Sequence, residues 1–228
     1  MKVVVLQSNY LPWKGYFDLI SKADLFIFYD DVQFTKNDWR NRNKIKTPRG
    51  AEWISIPCGT DLKRLINEVE IAKPDWQQDH WNRIKLNYST APFYKLYAGF
   101  LEAFYLGTTW TNLSKLNQYL IVSFARQYLG LKTEFMNSTE YKISGARQDR
   151  LIDLLKKSGA TEYISGPAAK AYISVEAFDQ AGIKLTWMDY ANYPEYNQLF
   201  PPFDHAVSII DVLFNTGPEA IRYIRSIR

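Results

Sequence analysis

The sequence predicts an α/β fold with a mostly parallel sheet, and three observations carry that reading. An apolar run, Val3-Val4-Val5-Leu6, is followed by a helical pattern and a second apolar run, Leu25-Phe26-Ile27-Phe28-Tyr29; this βαβ order favours parallel pairing. From Asp75 to Gly130 the apolar spacing becomes helical over three successive segments. The last third returns to short strands alternating with helices. The expected architecture is a Rossmann-like sheet with an N-terminal β-hairpin excursion and a helical subdomain in the middle of the chain.

Val3 to Gln7 reads as the first buried strand, Tyr16 to Ala23 as a short helix, and Leu25 to Tyr29 as the second strand, ending at Asp30-Asp31. Trp39 to Ile45 and Ala51 to Pro57 flank Thr47-Pro48-Arg49-Gly50, and a Pro-x-Gly cluster between alternating runs signals a hairpin. Asn67 to Ala72 reads as a further strand. Trp76 to Tyr88, Phe93 to Leu106 and Leu113 to Leu129 read as helices, the third capped by Asn112 and stopped by Gly130. Helix Arg147 to Ser158, strand Tyr163-Ile164, helix Val175 to Gln180 and strand Ile183 to Met188 follow. An aromatic loop, Tyr190 to Phe203, precedes helices near Val207 to Phe214 and Glu219 to Ile227. With no linker or repeat, residues 1–228 are expected to form one domain, with 75–130 as a helical subdomain within it.

Composition narrows the function classes. The chain has 228 residues, of which 46% are hydrophobic and 23% charged, ordinary values for a globular domain. Seven Trp, 16 Tyr and 13 Phe suit binding clefts and cores alike. Cys58 is the single cysteine, beside two histidines, His80 and His205; no intramolecular disulfide can form and a Cys/His zinc site is not expected. Cys58 lacks a visible base partner for nucleophilic catalysis. No apolar run approaches the roughly 20 residues of a membrane span, and the start lacks a signal-peptide pattern. A cytoplasmic protein without a membrane span is expected, and a homo-oligomer is left open. The net charge of +4 is local: Lys36, Arg40, Arg42, Lys44, Lys46 and Arg49 stand against Asp38 alone. Such a patch argues for one anionic contact rather than a nucleic-acid duplex.

The loop Gln7 to Asp18 leaves the first strand with amides, aromatics and a glycine. Ligands of open α/β sheets collect at the carboxyl ends of strands, so Gln7, Asn9, Tyr10, Trp13, Gly15 and Tyr16 are binding candidates. Gly15 would allow close approach of a ligand to the backbone at a helix N-terminus; a packed turn held by Pro12, Trp13 and Tyr16 is the competing reading. The phosphate signatures GxGxxG and GxxxxGK[ST] are absent. The HxGH loop of nucleotidyltransferases has a counterpart in position only, Trp13-Lys14-Gly15-Tyr16, without either histidine.

Asp30 and Asp31, followed by Gln33, close the second strand. Carboxylates there suit hydroxyl orientation, general-base work or Mg²⁺, although no metal set is assigned; ordinary turn capping explains them as well. If 39–46 is extended, Arg40, Arg42, Lys44 and Lys46 share one face and Trp39, Asn41, Asn43 and Ile45 the other. Arginine forks suit phosphate, and Trp39 suits a base or sugar face; a protected sheet edge is the alternative. His80 is a candidate acid or base, or a core histidine between Trp76 and Trp81. Lys170, in Ser165-Gly166-Pro167-Ala168-Ala169-Lys170, follows a short strand and could neutralise an anion.

Five ordered blocks then point to a family: Gln-x-x-Tyr-Leu-Pro-Trp-x-Gly-Tyr-Phe-Asp (Gln7 to Asp18), Asp-Asp-Val-Gln-Phe (Asp30 to Phe34), Trp-Arg-Asn-Arg-Asn-x-Ile (Trp39 to Ile45), Tyr-Ile-Ser-Gly (Tyr163 to Gly166) and Ser-Ile-Ile-Asp-Val-Leu-Phe-Asn (Ser208 to Asn215). Together they resemble the WbqC-like family across essentially the whole chain. The resemblance implies a place in bacterial O-antigen and surface-glycan (lipopolysaccharide) biosynthesis. It implies a nucleotide-linked sugar as partner and an acyl or aminoacyl donor as co-substrate, with no cofactor assigned. The leading expectation is a transferase that acylates or aminoacylates an amino sugar. Arg40 and Arg42 would hold the diphosphate, Trp39 or Tyr10 would pack on the base or sugar, and Asp30, Asp31 or His80 would serve the attacking amine. A nucleotidyltransferase- or ligase-like enzyme and a non-catalytic glycan-assembly partner are the alternatives.

Overall fold

A computed structural model describes residues 1–71, 73 and 75–225. Five strands form one parallel sheet: β1 (Lys2–Leu6), β2 (Leu25–Phe28), β5 (Glu134–Asn137), β6 (Glu162–Ser165) and β7 (Lys184–Trp187), in the order β5-β2-β1-β6-β7. The antiparallel hairpin stands apart, with β3 (Arg42–Thr47) paired to β4 (Gly50–Ser55) around Pro48-Arg49. The α/β fold class expected from sequence is the one observed.

A parallel sheet covered on both faces needs apolar side chains pointing both ways, and the strands alternate accordingly. Val4, Phe26, Phe28 and Ile164 face the larger core, built with α1 (Lys14–Ser21), α2 (Asp75–Tyr88), α3 (Tyr94–Leu106), α4 (Leu113–Ser123) and α7 (Ile209–Thr216). Val3, Val5, Leu25, Ile27 and Tyr163 face a second core with Leu154 and Leu155 of α5 (Arg147–Lys157) and Phe178 of α6 (Val175–Gln180). The middle helices thus close one face of the sheet whose strands the two ends of the chain supply. Among the described residues, no helix is long and apolar enough to cross a membrane.

Four elements differ from expectation. Residues 67–71 make no strand; Ile66–Glu68 form a 3₁₀ turn, and Glu70 only bridges Asn112. The Glu68 carboxylate takes the Leu65 N–H (2.8 Å), which winds the segment rather than extending it; Ala72 lies outside the described residues. The third middle helix ends in a π turn, Phe124–Tyr128. The final helix is short, Ala220–Tyr223, and positions 226–227 of its expected span are not among the described residues. The edge strand β5 has no counterpart in the sequence reading. It is four residues long and flanked by polar ends, so it carries too few apolar positions to show a period.

Behind the hairpin, Asp211 is buried at the start of α7. Its carboxylate accepts from Tyr88 Oη (2.9 Å), Tyr196 Oη (2.5 Å) and Gln198 Nε2 (2.8 Å), which ties α2, the aromatic loop and α7 together. Burial holds its pKa above the ordinary carboxylate value. Asp211→Ala removes the acceptor of the buried Tyr88 and Tyr196 hydroxyls, while Gln198 keeps the Asp204 carbonyl. Chemical denaturation is expected to show a loss of about 3 kcal/mol or more.

Candidate functional site

Viewed in sheet order, β1 lies at the centre, the chain crosses to β2 on one side and later returns to β6 on the other. That reversal is the switch point at which open α/β sheets bind ligands. Strand register opens the site physically. β1 pairs with β6 only at Lys2–Glu162 and Val3–Tyr163, whereas β6 stays paired with β7 as far as Ser165–Trp187. Beyond Val3 the two strands part. A cleft of about 910 Å³ fills the gap, lined by Leu6 and Gln7 at the end of β1, Ser165 and Gly166 at the end of β6, and Arg147 and Arg150 from α5. Its size lies in the range of about 300–1,000 Å³ typical of small-molecule sites.

Cationic groups sit at this cleft with little negative charge around them. Arg150 pairs with Asp31 (2.5 Å) and donates to Tyr29 Oη (2.9 Å). Arg147 is exposed at the first residue of α5 and has no ion-pair partner among the described residues. Arg40 donates to Gln7 Oε1 (3.2 Å) and to Asn9 Oδ1, with Asp38 loosely placed at 3.8 Å. Gln7, Asn9 and Arg40, all sequence candidates, are therefore brought together at the exit of β1.

The rest of the first loop is spent on packing. Tyr16 is buried and donates to the Gln7 carbonyl (3.0 Å). Gly15 offers no opening to a ligand: a Cβ there would lie 2.3 Å from Trp13 Cζ2. The Trp13 ring needs that space, and its edges meet Tyr190 and Tyr193. Asn43, buried on β3, donates to the carbonyls of Tyr10 (3.2 Å) and Leu11 (2.7 Å). It thereby holds the turn in which Leu11 takes a φ of +42°.

The cation stripe divides. Residue 40 precedes β3 in a turn, so its neighbours in sequence do not share its face. On the hairpin, Arg42 lies over the Trp53 ring (4.2 Å) and Lys44 over the same ring (5.2 Å), and Trp39 from the preceding turn packs beside it (5.3 Å). Lys46 is buried with its Nζ on the Pro202 carbonyl. Asn41 is buried and donates to the Ile56 carbonyl. Gln33 donates to the Leu62 carbonyl, and Lys170 lies over the Trp187 ring (5.6 Å), exposed.

Tyr10 and His80 lie in the helical core. The Tyr10 hydroxyl is hydrogen-bonded to His80 Nδ1 (2.8 Å) and to the Tyr105 hydroxyl. Burial, reinforced by the nearby Arg83 charge, pushes the His80 pKa down to about 3. The ring is a neutral member of an aromatic cluster and stands away from the cleft lining.

Asp30 and Asp31 point to different partners. Asp30 is buried and accepts from the Ser8 N–H (2.8 Å), Gln118 Nε2 (3.1 Å) and Ser114 Oγ. Asp31 faces Arg150 and Ser138. Among the described residues, no group of three or more His, Cys, Asp or Glu side chains could hold a metal ion.

The WbqC-like protein family's profile matches residues 7–223. The chain belongs to this family. It is similar, at 45% identity over 229 residues, to a protein of Mycobacterium tuberculosis that is itself uncharacterized; the match covers 100% of this chain and 99% of that protein. No solved structure matches. Membership of the WbqC-like family suggests a role related to glycan biosynthesis.

Arg147 and Arg150 were missed by the sequence reading. A signal existed: both sit in the first turn of α5, where the helix macrodipole favours acidic residues. Asp149 shares that turn; Arg150 is paired with Asp31, and Arg147 has no ion-pair partner among the described residues.

His80 yields a signed pH dependence. Its folded pKa is depressed from 6.5 to about 3, so below pH 6.5 the unfolded chain binds a proton that the folded chain refuses. Its contribution is present above pH 6.5 and is lost as the pH falls toward 3, by at most about 1.4 kcal/mol per pH unit. Urea denaturation of wild type and His80→Gln across pH 7.5 to 4.5 is expected to show this component in wild type alone.

Proposed function

We propose that this WbqC-like protein is a transferase of surface-polysaccharide biosynthesis that modifies a nucleotide-linked sugar by acyl or aminoacyl transfer to an amino sugar. The observation that carries the reading is the switch-point cleft, which joins a mainly apolar lining to guanidinium groups at one rim. Arg147 and Arg150 suit a diphosphate, because planar forks pair with phosphate oxygens. Arg147 is unpartnered among the described residues, and Arg150 already shares its charge with Asp31. Tyr172 and Tyr29, also in the lining, offer faces for a base or sugar. Arg40 behind Gln7 adds positive potential without reaching into the cleft lining. The diphosphate role expected for Arg42 passes to the α5 arginines in this reading, since Arg42 is committed to Trp53.

Chemically, such a transferase needs an acceptor amine kept unprotonated and a donor carbonyl beside it. Among the carboxylates near the cleft, Asp31 is neutralised by Arg150. Asp30 carries no such partner among the described residues and is assigned the base role in this reading.

A ligand that binds only the folded chain raises its stability. Uridine and thymidine diphosphates and their sugar conjugates are expected to raise the melting temperature in a thermal-shift titration. Arg147→Ala, at an exposed position, is expected to weaken that binding about tenfold, the loss of about one charge-assisted contact, and to leave the ligand-free melting temperature within a degree or two. Absence of any shift with the whole series would count against the reading.

A further inference from the structure

A second, smaller cavity opens beside the cleft at the carboxyl ends of β2 and β5. It measures about 190 Å³ and is lined by Asp30, Asn67, Asn112, Ser114, Gln118 and Asn137 among others. That is below the volume of typical drug-sized sites and suits one ring. Its wall toward the large cleft is the Arg150–Asp31 ion pair: Asp31 lines the small cavity and Arg150 the large one.

The chemistry of this cavity is unbalanced. Asp30 is 3% exposed. Its three donors, the Ser8 N–H, the Ser114 hydroxyl and the Gln118 amide, are all neutral, and among the described residues it forms no ion pair. Buried carboxylates are ordinarily paired with a cation or a metal. On the same lining, Asn67 Oδ1 is buried without a donor. That oxygen is closed off from solvent, so the acceptor the cavity offers is Asp30, and the Gln118, Ser114 and Asn137 side chains already bond to one another. Lys115, on the same lining, is exposed and makes no ion pair with Asp30; what the buried end of the cavity lacks is a donor-rich, positively charged group. Hydroxyls alone would satisfy hydrogen bonding; an ammonium also supplies the absent charge.

We infer that this cavity is a binding subsite for a single hydroxylated ring that bears a primary amine, its ammonium on Asp30. The inference extends the proposed function, because it assigns the amino-sugar ring to one side of the Arg150–Asp31 pair and the nucleotide to the other. A ring in the small cavity would place its amine at a carboxylate able to accept the proton it sheds before attacking an acyl donor. Two protons must be placed: the ammonium first gives one to Asp30 and becomes the neutral amine, the N–C bond then forms as the donor's bond from carbonyl carbon to leaving group breaks, and the second proton departs with that leaving group.

The test is ligand-observed NMR with free 2-, 3- and 4-amino hexoses, their hydroxyl counterparts and uridine diphosphate as separate probes. At least one amino hexose is expected to bind tenfold or more tightly than its hydroxyl counterpart. Thr139→Trp, a substitution at an exposed residue on the lining, is expected to abolish that binding and leave uridine diphosphate binding unchanged. Asp30→Asn, if folded by circular dichroism, is expected to remove the preference for the amine. Equal affinity for amino and hydroxyl sugars, no amino-sugar binding at all, or amino-sugar binding that survives Thr139→Trp overturns the inference. Nucleotide binding with any of those results overturns the inference alone. Amino-sugar binding without nucleotide binding overturns the cleft assignment and leaves the subsite standing.

Discussion

The carboxylate of Asp30 is the point on which this architecture turns. One oxygen receives the Ser8 N–H, which fixes the path of the chain just after β1; the other receives Ser114 and Gln118 from α4. Three segments distant in sequence converge on one buried charge at the end of β2. Its backbone adds another tie, since the Asp30 carbonyl accepts the Asn67 N–H (2.9 Å). A charge taken out of water is tolerated only where hydrogen bonds replace its hydration. The first loop, the 3₁₀ turn and the head of α4 are arranged to provide them. The position of Gln7, and through it Arg40, follows from where that carboxylate holds Ser8.

A second buried polar centre does comparable work behind the hairpin. Asp211 anchors the hydroxyls of Tyr88 and Tyr196, and the ammonium of Lys14 lies among the rings of Tyr193, Tyr196 and Phe203. Burial lowers the Lys14 pKa to about 8, with the Asp211 charge opposing that shift. Lysine in an aromatic cage trades hydration for cation–π attraction. The aromatic loop from Tyr190 to Phe203 is therefore a structural cover, pinned from beneath by Lys14, Lys46 and Asp211. The two polar centres sit on either side of the first loop and between them leave it little freedom.

Much of the fold was legible because its signals are local and periodic. The βαβ start, the Pro48-Arg49-Gly50 hairpin and the three middle helices each announce themselves within a dozen residues. What escaped depends on contacts far apart in sequence. β5 exists because β2 offers it an edge, and its own four residues say nothing of that. The run from Arg40 to Lys46 was read as one extended stripe, but the β-strand starts at Arg42. Two residues of turn were enough to send Arg40 to Gln7 and Arg42 to Trp53. His80 and Tyr10 read as chemistry from residue type alone, and only their shared burial shows that they face one another.

These placements bear on which residues can report on activity. Within the blocks that resemble the family, Gly15 makes room for Trp13, Asn43 braces Leu11, and Asp211 collects tyrosines. Substituting any of them changes packing before it changes chemistry, so lost activity would be indistinguishable from lost structure. The arginines of α5 are different. They stand outside those blocks, in a helix turn whose dipole disfavours them, and one of them is exposed. Arg147, exposed and without an ion-pair partner among the described residues, is positioned to meet a group from solvent. The cleft's function is thus better interrogated from α5 than from the motif that first draws attention to the chain.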